Sequence, residues 1–300
     1  MPTTYSGRLS DRRPCRSDRV SRLSKVLLFG LVVCLMFVWS ACNGGRRYTF
    51  AVVADIQQPG DAPYRAVTGD IVREIADSDA QFVVFNGDST SGGSVGQWEE
   101  FDKMVQPLRD RGKAIYAVIG NHDATEQPVG FVSRFPRRQV VRKPGLALVL
   151  LDSEAKTEDR NWDLGDEQTA WLQTKPWLAE DPDANPLVFF FVHRPPHRSE
   201  FFAQLDPNFR FQPEKDDIAK LLIGLGADAV FSAHEHLFSE QEFDGVPFII
   251  AGGGGGDLLK GNYHYLLVTV YPDARKWDFQ MIKVKTQKPI YASRSPFARR

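Results

Sequence analysis

"YTFAVVADIQ", residues 48–57, is an apolar run that stops on a carboxylate, Asp55, with an amide, Gln57, two positions further on. Such a run, bounded by turn residues, reads as a buried strand. The same grammar recurs down the chain. Residues 63–76 carry Val67, Ile71, Val72 and Ile75 at helical spacing, and "QFVVF" (81–85) is a second strand. Ser94 is a cap for a helix running to Gly112, with Pro107 as a kink, and "AIYAVI" (114–119) is a third strand. "ALVLL" (147–151) and "PLVFFFV" (186–192) follow as strands, with helices at 166–180, where Pro176 is a break, and at 213–226. Then come "DAVFSA", "FSEQEF" and "PFIIA", the last two joined by Asp244-Gly245, a hairpin turn signal. "YHYLLVTVY" and "WDFQMIKVK" close the pattern as another hairpin. The class is α/β in the first half, turning to meander β in the second.

Chemistry gathers where the strands stop. Asp55 and Gln57 follow the first, Asp88 in "NGDST" the second, and Asn121, His122 and Asp123 in "GNHDAT" the third. His193 in "HRPPH" follows "PLVFFFV", and His234 and His236 follow "DAVFSA". In α/β sheets, ligands bind beyond the carboxyl ends of strands. Each signal alone has an ordinary explanation: turn chemistry for Asp-x-Gln and "NGD", a capped turn for "GNHD", a core histidine for His193. His-x-His is stronger, because i and i+2 share one side of an extended chain. Independent turns would not place only metal-capable residues at five strand ends.

In this order the motifs resemble the calcineurin-like metallophosphoesterases, whose pattern is D-x-H, G-D, G-N-H-D/E, a lone His and G-H-x-H. Here they read Asp55-Ile56-Gln57, Gly87-Asp88, Gly120-Asn121-His122-Asp123, His193, and Ala233-His234-Glu235-His236. The resemblance implies a four-layer α/β/β/α sandwich of two mixed sheets. It implies one divalent metal held by Asp55, Gln57, Asp88 and His236, a second by Asp88, Asn121, His193 and His234, and Asp88 bridging them. His122 is then the catalytic histidine, as general acid or transition-state stabiliser, and Asp123 orients it. Two such cations neutralise phosphoryl charge and acidify a shared water for attack on phosphorus. Arg194, beside His193, is a candidate substrate contact.

Two positions depart from the pattern. Ala233 replaces a glycine, which matters only if the backbone there needs positive φ. Gln57 replaces a histidine. Its oxygen suits Mn²⁺ or Mg²⁺ better than Zn²⁺, so Mn²⁺ is the expected metal, with Fe, Zn and Mg as alternatives. An Asp-x-Gln opening resembles the manganese-dependent ADP-ribose and CDP-alcohol pyrophosphatase branch, and no tyrosine follows Gly87-Asp88 as in purple acid phosphatases. The expected activity is hydrolysis of a phosphomonoester, phosphodiester or pyrophosphate. The alternatives are a pyrophosphatase of nucleoside-diphosphate-linked compounds and, in another class, a non-catalytic metal-containing envelope binding protein. The glycine run 252–256 reads as a close backbone turn, His197 as a rim residue and His264 as structural.

Residues 1–25 carry seven basic against two acidic side chains, a net of +5, and Val26–Ala41 is a stretch of sixteen uncharged residues. A spanning helix needs about 20 apolar residues and a signal-peptide core about 7–15, so this head reads as an export signal. It ends in "WSAC", which resembles a bacterial lipoprotein cleavage box with Trp39 where leucine is usual, making Cys42 the lipidated residue. An uncleaved anchor and simple secretion are the alternatives; all export the body, and the first two tether it to a membrane. Residues 1–42 are thus a leader, 48–285 the catalytic domain and 286–300 a polar tail. From residue 43 onward the chain has 30 basic and 36 acidic residues. That acidic balance argues against general nucleic-acid binding and leaves a small phosphorylated substrate as the partner. Cys15, Cys34 and Cys42 all precede the body, which therefore holds no disulfide.

Overall fold

Strand β1 (Tyr48–Val53) alternates its side chains between two apolar environments, and that alternation sets the layer order. Phe50 and Val52 face one core; Ala51 and Val53 face another. A strand buried on both faces must lie in a sheet covered on both sides. The computed structural model describes residues 45–284, apart from 59–62, 125–127, 158–159, 181–183, 198 and 202–212. The apolar run 26–41, Cys42 and the tail 286–300 lie outside the described residues. Among the described residues no helix is long and apolar enough to cross a membrane.

The elements after β1 run α1 (Ala66–Asp77), β2 (Phe82–Asn86), α2 (Val95–Met104), α3 (Gln106–Asp110), β3 (Ala114–Val118), α4 (Val129–Val132), β4 (Gln139–Lys143) and β5 (Leu146–Leu150). Then follow β6 (Ala155–Thr157), β7 (Arg160–Asp163), α5 (Asp166–Gln173), β8 (Leu187–Phe191), α6 (Pro213–Gly224) and β9 (Ala229–Ser232). The chain continues through β10 (Phe238–Phe243), β11 (Val246–Ala251), β12 (His264–Tyr271) and β13 (Lys276–Lys283). One sheet has the order β13-β12-β1-β2-β3 and the other β10-β11-β9-β8-β5-β4; β6 and β7 form a separate hairpin. β1, β2 and β3 are mutually parallel, as are β5, β8, β9 and β11. The two parallel blocks carry the site at their carboxyl ends.

Three cores separate the layers. α1 presents Val67, Ile71, Val72 and Ile75 to the outer face of the first sheet, the face predicted from their spacing, beside Trp98 and Phe101 of α2. Between the sheets lie Phe50, Phe82, Phe189, Phe191 and Phe231. Phe50 stacks on Phe82 with centroids 4.8 Å apart, and Phe191 on Phe231 at 4.9 Å. Burying each such ring stabilises the fold by roughly 1.5–3 kcal/mol. Val188, Phe190 and Val192 point outward onto Leu172 of α5, Trp177, and Leu222 of α6. This is the expected α/β/β/α sandwich.

Several local expectations were refined. The helix read from Ser94 to Gly112 is two helices, α2 and α3, because Pro107 supplies no N–H to a continuous ladder. The helix read over 166–180 stops at Gln173; Lys175 turns left-handed, with φ 48°, before a short 3-10 turn at Pro176–Leu178. Asp244 (φ 50°) and Gly245 (φ 79°) make the left-handed pair that a two-residue hairpin requires. β4, α4 and the β6–β7 hairpin were not anticipated.

Candidate metal centre

The residues at the strand ends converge. Asp88, His193 and His234 have ligand atoms within 4.8 Å of one another, and so have Asp55, Asp88 and His236. Asp88 belongs to both groups. The two nitrogen–oxygen side chains complete the sets. Gln57 Nε2 lies 3.1 Å from Asp88 Oδ2 and 3.1 Å from His236 Nε2. Asn121 Oδ1 lies 3.2 Å from His193 Nε2. All the predicted ligand positions thus meet in the two expected groups.

The backbone is bent to achieve this. Asp55 (φ 54°), Asp88 (φ 52°), His234 (φ 69°) and His236 (φ 46°) are left-handed, four of seven such non-glycine residues among those described. Each costs of order 1–3 kcal/mol and persists only where its surroundings hold it. The amides of Asp55, Ile56 and Gln57 donate to the carbonyls of Gly87, Asp88 and Asp88, each at 3.1 Å, which locks the first two loops together. His234 N donates to Asp55 Oδ2 at 3.0 Å, tying the second sheet to the first. Ala233 does not have positive φ, so the missing glycine is no defect there.

Close approach explains two glycines. A Cβ on Gly87 would stand 2.2 Å from His193 Nδ1, and one on Gly252 would stand 2.6 Å from Asp55 Oδ2. The amides of Gly252, Gly254 and Gly256 donate to Leu237 O, Ala54 O and Asp55 O. The glycine run is therefore a close backing turn beneath the Asp55 side, as its sequence suggested.

Histidine orientation is set from behind. His193 Nδ1 sits 3.0 Å from Asn86 O, and His236 Nδ1 sits 2.5 Å from Asp257 O. A ring whose Nδ1–H is held by a carbonyl offers Nε2 to the site. Despite burial, His193 and then His122 hold the Asp88 carboxyl well below its usual range. Burial opposes protonation of His236, but Asp55 prevails and raises it to about 9. His234 is pushed down to about 2 by burial, then by His193 and Arg194. Despite its burial, His193 is likewise raised by Asp88, so cations bound there would have to displace a proton from His193 and from His236.

The residues present fit a divalent pair. Gln57 Oε1 is buried without a hydrogen-bond partner, and Asp55 Oδ1 meets only the His236 ring, Nε2 lying 3.4 Å away, although buried oxygens are ordinarily satisfied. A half-turn of the Gln57 carboxamide exchanges its oxygen and nitrogen, turning the oxygen towards Asp88 and His236. Asp55, Gln57, Asp88 and His236 would hold one ion; Asp88, Asn121, His193 and His234 would hold the other.

His122 stands apart from both sets, with its side chain 45% exposed and its Nε2 4.0 Å from Asp88 Oδ2. Its backbone N donates to Asp88 Oδ1 at 2.9 Å, and its ring Nδ1 meets Ser91 O at 3.1 Å. Asp123 does not orient this ring. Its carboxylate accepts from Ser89 N and Gly120 N, both at 3.1 Å, and from Thr90 N and Thr90 Oγ1, both at 2.8 Å. Burial, then the charge of Asp88, raises Asp123 to about 6. The orienting role belongs to the Ser91 carbonyl, and Asp123 fastens the second loop to the third. Asp123→Ala should therefore destabilise the protein by roughly 3–5 kcal/mol in urea unfolding, since three buried N–H groups lose their acceptor. A loss under about 1 kcal/mol together with lost activity would return Asp123 to the reaction itself.

His197 is not a rim residue. It is 1% exposed, between the rings of Phe243 and Phe248, each 5.3 Å away. His264 is buried behind the glycine run, its Nδ1 2.8 Å from Asn262 O, as a structural residue would be. Arg194 lies at the site, with Nη1 3.2 Å from His234 Nε2. Glu154, its ionic partner, escaped sequence reasoning although it stands beyond the end of β5.

A family model described as calcineurin-like phosphoesterase matches residues 48–238. Among solved structures, the chain is similar to a purple acid phosphatase from yellow lupin (Lupinus luteus) seeds, with 15% identity over 76% of this chain and 50% of that one, and a TM-score of 0.57. It therefore spans about half the length of that phosphatase, and the likeness is one of fold. A putative 5'-nucleotidase from Staphylococcus aureus matches at 12% identity over 81% of this chain and 55% of that one, with a TM-score of 0.49. The GAP50 anchor of the Plasmodium inner membrane complex matches at 13% identity over 81% of this chain and 90% of that one, also with a TM-score of 0.49. No curated protein sequence matches the chain.

Proposed function

The chain belongs to the calcineurin-like phosphoesterase family, and on that ground we propose that it is an exported, metal-dependent phosphoric ester hydrolase acting through two cations. The observation that carries this reading is the pair of ligand groups sharing Asp88, with the exposed His122 ring beside them. Two divalent ions there would neutralise phosphoryl charge and lower the pKa of water. Asp88, fixed by His122 N and His193, sets the separation of the two groups. With its Nδ1 on the Ser91 carbonyl, His122 presents Nε2 to the site, where it delivers a proton to the leaving oxygen or stabilises its charge. Oxygen donors from Gln57 and Asn121 beside the carboxylates favour Mn²⁺ over Zn²⁺. The acidic body favours a small phosphorylated substrate over a polyanion, and the basic and apolar head supports a membrane tether in the cell envelope, through lipidated Cys42 or an uncleaved segment.

The test uses full-length protein purified without chelator. Bound metal is measured by mass spectrometry, with hydrolysis of p-nitrophenyl phosphate and bis-p-nitrophenyl phosphate under added Mn²⁺. About two ions per chain and Mn²⁺-dependent turnover are expected. Folded protein that takes up no metal would overturn the reading. A single tight ion without turnover would place the fault at Gln57 and favour a binding protein.

A further inference from the structure

Glu154 and Arg194 form an ion pair at the site end of the second sheet, where β5 and β8 run side by side. Arg194 N donates to Ser153 Oγ at 3.2 Å, and Ser153 Oγ donates to Glu154 Oε1 at 2.9 Å. Arg194 Nε donates to both Glu154 oxygens at 3.0 Å. The side chains are only 6% and 21% exposed for Glu154 and Arg194.

An ion pair that merely joins two strand ends is the plain reading, and its geometry argues against it. A guanidinium binding a carboxylate for its own sake uses its planar fork, two parallel N–H groups on two oxygens. Here Nε alone serves Glu154, and the Nη edge is turned away. Nη1 meets His234 Nε2 at 3.2 Å, and Nη2 makes no hydrogen bond among the described residues. The charge is thus pinned from behind, with donors facing a candidate metal ligand. A guanidinium and a cation cannot share the one lone pair of that imidazole nitrogen. With a cation on it, Nη1 would be released to another acceptor, and an anionic substrate would supply one.

The number of available oxygens then selects the substrate. A terminal phosphoryl group has three non-bridging oxygens; a diester, or an internal phosphate of a pyrophosphate, has two. If each cation engages one, only the terminal group keeps a third for the arginine. We propose that Arg194, held by Glu154 as a positioning residue, contacts that third oxygen and makes the site selective for phosphomonoesters. This deepens the phosphoesterase reading and rests on it, and it runs against the pyrophosphatase alternative that Gln57 suggests.

The experiment compares kcat/KM for p-nitrophenyl phosphate and bis-p-nitrophenyl phosphate in the full-length protein with Mn²⁺. The wild type should prefer the monoester. Arg194→Gln should lower the monoester-to-diester ratio by at least about 30-fold, because a charge-assisted contact is lost to one substrate only. Glu154→Gln should move the ratio the same way by about 5–10-fold, mainly through KM for the monoester. Added guanidinium should restore monoester turnover to Arg194→Ala and leave diester turnover where it was. Thermal unfolding checks that each variant is folded. Inorganic phosphate, which keeps every terminal oxygen, should bind Arg194→Gln at least about 10-fold more weakly by calorimetry at unchanged metal content. Arg194→Lys, used if Arg194→Gln is not folded, should lower the ratio by a smaller factor, because a single ammonium cannot keep the Glu154 contact and reach the oxygen. A wild type that prefers the diester, or variants that lose both activities in parallel, would overturn the proposal. No hydrolysis of either ester by metal-loaded wild type would instead remove the phosphoesterase reading itself.

Discussion

Replacing Asp88 with asparagine is expected to lower hydrolysis by at least about 10³-fold, equivalent to about 4 kcal/mol of barrier, and to reduce bound metal from the expected two ions per chain to one or none. The reason is that Asp88 is the one residue in both ligand groups. Its loss would remove a negative charge from both candidate cation sites at once. The variant should remain folded. Asparagine keeps the shape and an oxygen to accept from His122 N, so the loop contact that holds this residue is preserved. Metal content by mass spectrometry, alongside the unfolding midpoint, separates the two effects. Two ions retained, or activity within about tenfold of wild type, would show that Asp88 does not bridge.

The site was legible because its candidate ligands sit at strand ends, and strand ends are visible as the places where apolar runs stop. Asp55, Asp88, Asn121, His193 and His234 were found that way, and the parallel order of β1, β2 and β3 beside β5, β8 and β9 turned separate sequence positions into one place. What the sequence could not supply was contact between loops distant along the chain. Asp123 looked like a partner for His122 because it is adjacent, yet its carboxylate points to Ser89, Thr90 and Gly120. The Ser91 carbonyl does that work instead, and a backbone oxygen leaves no mark on side-chain identity. His197 reads as exposed beside two prolines, but residues of the β10–β11 hairpin fold over it. Glu154 carries one usable signal, an acid just past a strand end, and only the fold sets it against Arg194. β4 was missed because "RRQVVRK" is dominated by charge; its arginines are paired across to Asp152, Glu167 and Glu180.

His122→Ala carries the second large effect, and its size should depend on the substrate. The backbone amide of His122, not its ring, holds the loop to Asp88, so removing the imidazole leaves both ligand groups intact. Metal content should remain at two ions. The ring is nearly half exposed, with Nδ1 on the Ser91 carbonyl, which leaves Nε2 for the leaving oxygen. Loss of a general acid typically costs about 10²–10⁴-fold. An alkyl phosphate, whose alkoxide is a poor leaving group, should show that full loss. p-Nitrophenyl phosphate departs as a stabilised phenolate and needs little protonation, so its loss should be nearer tenfold, about 1.4 kcal/mol. Single-turnover rates on the two substrates, measured with metal in excess, make the comparison free of binding effects. Equal losses on both would show that His122 stabilises transition-state charge without transferring a proton. A loss of metal would make it a ligand, and the division between the seven candidate ligands and the one histidine proposed to act on the substrate would have to be redrawn around Asn121 and Ser91.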